Sequence, residues 1–352
     1  MSPTATTTAK HVALTGASGF VGAHVLREAL ASGYQVRSIV RSESKGKELQ
    51  RLFPSPRHTL AYVSDIRNAD ELREAFRGID VVQHVASPYT LKFQDAERDM
   101  LQPAIDGTLA VLKAAHDTPS IKHVLITSSF AAQNCYEKGG SIRDYTYTEK
   151  DWNPASYEDA KKSDNKVYTY AASKGLAEKA AWHFVESAKP QFVLTTFMPP
   201  GIIGPIVHPV AKMEDLNTSC ANVWSVVSGA AGGVPPTLLP QTVDVRDVAK
   251  AHVEAMSHPE KSANQRFSLC GYYMDWQLVV DFLKSRFPEH ASTLPTGTPG
   301  TPNQPGPVAQ LDSAKAKTLL GIEWTPWQDT FADLTSQLYQ LHENVKAGKS
   351  AL

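Results

Sequence analysis

The stretch HVALTGASGFVGAHVLREALASG, residues 11–33, limits the possible folds more than any other part of the chain. A short apolar run, HVALT, meets three glycines spaced G-x-x-G-x-x-G, Gly16, Gly19 and Gly22, and a helix-patterned run follows at once. Strand, glycine turn and helix in that order open a parallel sheet with crossover helices. Glycine permits the tight turn and the close approach of backbone to a ligand, while the helix N-terminus offers free N–H donors and positive potential. A pyrophosphate suits such a site, although the spacing differs by one residue from the generic dinucleotide fingerprint. Ser18, Phe20 and Val21 complete the loop and join the three glycines as candidate cofactor contacts.

Later apolar bursts, YQVRSIVR, HTLAYVSD, DVVQHVAS, HVLITSS and FVLTTFMPP, are mostly separated by helical stretches such as ADELREAFRG and TLAVLKAAHD. Short β-branched runs alternating with helices predict a Rossmann-type α/β fold, a doubly wound parallel sheet covered on both faces. Beyond Pro199 the alternation fails. VDVRDVAKAHVEAM reads as a helix with Asp244 or Asp247 as its cap, and RFSLC, residues 266–270, as a strand returning to the sheet. TLPTGTPGTPNQPGP, residues 293–307, is too rich in breakers for helix or strand. There is no internal repeat.

A formal net charge of -1 excludes a global field for nucleic acid or an anionic membrane, so any anion must be bound locally. Cys135, Cys220 and Cys270 are far apart and lack metal-ligand spacing, which points to a reducing compartment. The start, MSPTATTTAKH, has no apolar signal core and reads as a frayed tail. FVLTTFMPPGIIGPIVHPV is broken by prolines, so no membrane span and a cytoplasmic location are expected. The 12 histidines show no H-E-x-x-H spacing, and no metal is expected.

The second strand ends in VRSESK. NAD-preferring domains usually place a carboxylate near this point to hold the ribose hydroxyls, whereas here Arg41 stands there, with Lys45 one helical turn later. A guanidinium can grip a 2′-phosphate with charge-assisted hydrogen bonds, so NADPH or NADP is the expected cofactor. The expected organisation is then a flexible tail at 1–10 and an NADP-binding domain over 11–200 with interleaved returns near 243–270. Residues 201–242 and 271–352 are expected to form a smaller, mostly C-terminal substrate-binding lobe.

Within YAASKGLAEKAAWHF, Tyr170 and Lys174 are four residues apart and so share one face of a helix. A free phenol has a pKa of about 10, and a neighbouring ammonium stabilises its phenolate. That pair makes a general acid. HVLITSS ends in Ser128 and Ser129 at the carboxyl end of a parallel strand, where a hydroxyl can bond a substrate carbonyl oxygen. One of the two serines is expected to satisfy loop backbone instead. The candidate apolar wall of a substrate pocket is Phe93, Phe130, Val167, Gly201 and Trp224, although each aromatic also suits ordinary core packing.

Together TGASGFVG, the strand-end serine and YAASK resemble the extended short-chain dehydrogenase/reductase family. VRSESK, HVASP, NTSC and VDVRDVAKAH narrow the likeness to its dihydroflavonol reductase-like group, especially fungal carbonyl reductases, from about Val12 to AKTLLGIEWTPW. The resemblance implies Ser129 as the catalytic serine, Tyr170 as acid/base and Lys174 as its partner. It implies adenine contacts at Asp65 and Ile66 and backbone contacts near Val85, Ala86 and Ser87. It also implies a nicotinamide half lined by Thr127, Pro199, Ile202 and Ser219. Gly201 stands where a yeast member of the group carries a bulky aromatic, which implies a roomier pocket. The expected activity is NADPH-dependent reduction of aldehydes, ketones or keto esters by a monomer or homodimer. A flavanonol reductase, a hydroxysteroid dehydrogenase, a UDP-sugar epimerase and a non-catalytic NADP-sensing regulator are the alternatives. Arg41 argues against the epimerase, and the intact Ser129, Tyr170 and Lys174 set argues against the regulator.

Overall fold

The computed structural model describes residues 10–87 and 92–348, so all of the expected tail at 1–10 except Lys10 lies outside the described residues. The first half runs β1 (His11–Thr15), α1 (Phe20–Ala31), β2 (Gln35–Val40), α2 (Glu43–Leu52), β3 (His58–Tyr62), α3 (Ala69–Ala75), β4 (Val81–His84), α4 (Gln102–His116) and β5 (His123–Thr127). Next come β6 (Thr146–Tyr147), α5 (Tyr157–Lys162), α6 (Lys166–Ala188), β7 (Val193–Met198), β8 (Gly201–Ile203) and α7 (Thr218–Val227). The remainder is β9 (Gln241–Asp244), α8 (Val245–Ser257), α9 (Pro259–Ser262), β10 (Gln265–Ser268), β11 (Tyr272–Tyr273), α10 (Trp276–Arg286), β12 (Gln310–Leu311), α11 (Ala314–Leu320) and α12 (Trp327–Lys346).

Seven strands form one parallel sheet in the order β10-β7-β5-β4-β1-β2-β3. Val12 of β1 pairs with Val36 on one side and Val81 on the other, so the strand order reverses around β1 and opens a crevice at the carboxyl ends. A strand covered by helices on both faces has no polar side to show, and β4, VVQH, is buried at every residue. On one face Val25 and Leu26 of α1 pack with Val248 and Met256 of α8. On the other, Leu72 of α3, Val111 of α4 and Ala181 of α6 close the sandwich. RFSLC does return a strand, since β10 pairs with β7 at the sheet edge.

Asp244 caps α8, its side chain accepting from the Arg246 N–H. Asp247 does not cap; its carboxylate lies in the first turn and accepts from the N–H and hydroxyl of Thr325. β9, just before that helix, joins a separate three-stranded sheet in the order β11-β9-β8. A further apolar cluster gathers Ile203 after the main sheet, Val223 of α7, Leu283 of α10 and Phe331 and Leu338 of α12. Residues 293–307 contain neither helix nor strand. Among the described residues, no helix is long and apolar enough to cross a membrane, and no group of His, Cys, Asp and Glu is arranged to hold a metal.

Candidate active site

The glycine loop turns where β1 hands over to α1. Gly16 has φ +75°, and a Cβ there would lie 2.7 Å from the Ala86 nitrogen. Gly22 has no room either, because a Cβ would lie 2.1 Å from the Gly16 carbonyl oxygen. Gly19 donates to that oxygen at 2.9 Å and sits at the N-cap of α1 without bringing a capping side chain. The first N–H groups of the helix therefore face the cleft with no side chain of the cap across them.

The cleft runs along the carboxyl ends of the strands and encloses about 1960 Å³. The loop residues Gly16, Ser18, Gly19, Phe20, Val21 and Gly22 line it, as do Arg41, Asp65 and Ile66. Val85, Ala86 and Ser87 follow β4 into the same wall, and Ile202 of β8 and Ser219 of α7 close the opposite side. Ser129 and Tyr170 face it together with Phe130, Val167 and Gly201. The remaining expected residues lie elsewhere. Lys45 is an exposed residue of α2 paired with Glu48 at 3.2 Å. Thr127 bonds His252 Nε2 at 2.9 Å, and Pro199 uses its carbonyl to accept from the Phe130 N–H at 2.9 Å while Pro200 lines the cleft. Phe93 is buried with the Lys166 ammonium 5.4 Å from its ring centroid, and Trp224 packs against Tyr339 and His342 in the C-terminal apolar cluster.

Asn165 caps α6, accepting from the N–H groups of Val167 and Tyr168, so the helix starts just before the residues that matter. Tyr170 is half-buried and turned to the cleft. Lys174, one turn on, is 8% exposed, with its ammonium 5.8 Å from the Tyr170 ring centroid and donating to Ser87 Oγ at 2.5 Å. Burial pushes the Lys174 pKa down to about 8. His84, which hydrogen-bonds Thr15 Oγ1 through Nδ1 at 2.9 Å, is pushed down to about 4 by burial and, secondarily, by the Lys174 charge. It is neutral at pH 7 and adds no second cation.

The two serines part company here. Ser128 donates to the buried Glu178 carboxylate at 2.6 Å, whereas Ser129 stays at the cleft and accepts from the Ala131 N–H at 3.1 Å. At Gly201 an added Cβ would come within 3.2 Å of the Gln241 carbonyl and 3.6 Å of Leu239 Cδ2. A side chain at this position would therefore have to leave past the approach to β9.

Sequence reasoning missed Arg67, Asn134, Tyr136, Leu238, Leu239 and Trp276, all of which line the cleft. Leu238 and Leu239 had a signal, an apolar pair in the proline-flanked PTLLP, and they are 62% and 46% exposed. Arg67 follows Asp65 closely in DIRN; its guanidinium and N–H bond that carboxylate and hold its pKa below the usual range. Asn134 and Tyr136 lie in a loop without period or motif and had none.

A family model described as the NAD dependent epimerase/dehydratase family matches residues 12–270. An NADPH-dependent methylglyoxal reductase of Saccharomyces cerevisiae is 33% identical, over 95% of this chain and 99% of its own length. A ketoreductase of Aspergillus niger is 34% identical, over 94% of this chain and 98% of its own. The crystal structure of yeast methylglyoxal/isovaleraldehyde reductase with NADPH superimposes with a TM-score of 0.84 at 32% identity, covering 95% of this chain and 99% of that one. The glycine-loop fold, the match over residues 12–270 and the full-length relatives lead to one conclusion: the chain belongs to the NAD dependent epimerase/dehydratase family, among the short-chain dehydrogenase/reductases.

Proposed function

We propose that this chain is an enzyme that reduces aldehydes, ketones or keto esters to alcohols with NADPH. The observation that carries this reading is that Ser129 and Tyr170 line one cleft with the glycine loop, while the buried Lys174 holds its ammonium 5.8 Å from the Tyr170 ring centroid. The residues fit the cofactor. Gly16 and Gly22 let the loop close on Ala86 and on itself, where any Cβ would collide with backbone, and Arg41 lines the cleft at the end of β2, where a 2′-phosphate requires a cation. The relatives named for NADPH support the same choice.

NADPH in this cleft supplies the hydride for the carbonyl carbon. Ser129, which lines the cleft, donates a hydrogen bond from its hydroxyl to the carbonyl oxygen. Tyr170 gives its proton to that oxygen, and the Lys174 ammonium stabilises the phenolate left behind. Ser87 Oγ, by accepting from the ammonium, helps to fix its position. Holding the oxygen between two hydroxyls restricts its approach and lowers the barrier through orientation. Phe130, Val167, Leu238 and Leu239 give the far end an apolar wall suited to carbonyl compounds with aliphatic or aryl groups. Residues 201–242 and 271–352 supply the substrate side, and the enzyme acts in the cytosol as a monomer or homodimer.

The test is Tyr170→Phe followed by NADPH absorbance on a carbonyl panel. Turnover is expected to fall by about a thousandfold or more, while NADPH titration by fluorescence stays unchanged. A variant that keeps wild-type turnover refutes the assignment of the proton donor.

A further inference from the structure

Behind the cleft, α6 carries a buried carboxylate with no place in the mechanism above. Glu178 is 2% exposed and lies one turn beyond Lys174 and two beyond Tyr170, so the three side chains leave one face of the helix. Its Oε1 accepts from Arg266 Nε at 2.7 Å, Thr196 Oγ1 at 2.8 Å and Trp182 Nε1 at 3.3 Å. Its Oε2 accepts from Ser128 Oγ at 2.6 Å. Arg266 lies on β10, Thr196 on β7 and Ser128 directly after β5, and these strands are neighbours in the sheet. One carboxylate thus fastens the catalytic helix to three adjacent strands.

Arg266 extends the fastening. Its Nη1 donates to the carbonyls of Glu149 and Asp151, and its guanidinium stacks 3.6 Å from the Trp152 ring centroid. A buried ion pair is weak evidence for added stability, since an apolar pair of the same volume often does as well. What an apolar pair lacks is direction. Charge-assisted bonds hold donors at set distances and angles, and here one of those donors is the neighbour of Ser129. Ser129 has extended backbone, φ -160° and ψ 154°, and successive extended residues point to opposite sides. Drawing Ser128 inward therefore turns Ser129 outward to the cleft. Glu178, Ser128 and Lys174 also share the wall of a small pocket of about 20 Å³.

We infer that Glu178 is a positioning residue, which sets Ser129 through Ser128 and sets Tyr170 and Lys174 through the helix. The role rests on the carbonyl reductase reading. Glu178→Gln keeps the shape and one acceptor oxygen but loses the charge. Its kcat is expected to fall roughly tenfold to a hundredfold while carbonyl KM and NADPH Kd stay within about twofold, because displacement of reacting groups slows chemistry and not binding. The primary isotope effect with 4-deuterated NADPH is expected to rise. Ser128→Ala is expected to lower kcat less, and the double variant to be no slower than Glu178→Gln alone, because both changes remove the donation from Ser128 to the carboxylate. Multiplied losses, or a Glu178→Gln kcat within about twofold of wild type, overturn the role. If Glu178→Gln does not fold, Ser128→Ala decides: a lower kcat at unchanged Tm supports the role, and an unchanged kcat overturns it. A wild type that binds NADPH yet reduces no carbonyl overturns the reductase reading itself, and this role with it.

Discussion

Lys174 holds its positive charge where solvation does little to support it, and its pKa of about 8 reflects that burial. Below pH 8 it is an ammonium and assists Tyr170; above, the assistance is lost. We predict that kcat/KM for NADPH, which reports groups of the cofactor-free enzyme, falls about tenfold per pH unit above 8. A profile flat to about pH 9.5 would contradict the assignment, since the unperturbed lysine value is about 10.4. Stability runs the opposite way. In the unfolded chain the lysine keeps its proton to higher pH, so between those two values the unfolded state binds more protons and folding gains stability as pH rises. At this scale the Tyr170–Lys174 pair was legible in sequence because helical period alone brings residues four apart together. The choice between Ser128 and Ser129 was not, because it depends on Glu178, 50 residues further on, and on the Arg266 that holds it.

Among the elements, the end of β2 carries the cofactor preference. Arg41 faces the cleft there, while Lys45 on α2 is exposed and paired with Glu48. Arg41→Ala is expected to lower kcat/KM for NADPH by roughly tenfold to a hundredfold and leave that for NADH nearly unchanged. Lys45→Ala is expected to do much less, as an exposed i,i+3 pair carries little energy. Comparable losses from the two variants would overturn this division of labour. All seven strands of the main sheet coincide with bursts readable in the sequence, because strands covered on both faces are rich in apolar residues, although the edge strands β3 and β10 are less so. β8, β11 and β12 have two or three residues each, too few for any period to show. α12 does carry a stripe at Phe331, Leu334, Leu338 and Leu341, but the stripe does not name its partners on β8, α7 and α10.

For the whole molecule, the cleft joins segments from Thr15 to Trp276, so a ligand in it touches parts of the chain far apart in sequence. NADPH at a hundred times its Kd is expected to stabilise the protein by about 2.7 kcal/mol. With an unfolding entropy of about 2.1 cal/mol/K per residue, this raises Tm by about 4 °C. Thermal unfolding with and without NADPH checks it, and no rise at saturation would remove NADPH as the ligand. By itself the sequence determined a glycine-turn parallel sheet, its strands, the cation at the end of β2 and the phenol–ammonium pair. Each of these follows from residues within a turn or two of one another, where backbone sterics and periodicity act. Only the tertiary structure decided which serine meets the cleft, which apolar residues line it and what limits the space over Gly201. Those outcomes depend on contacts between residues far apart in the chain, and a local pattern carries no record of what packs against it.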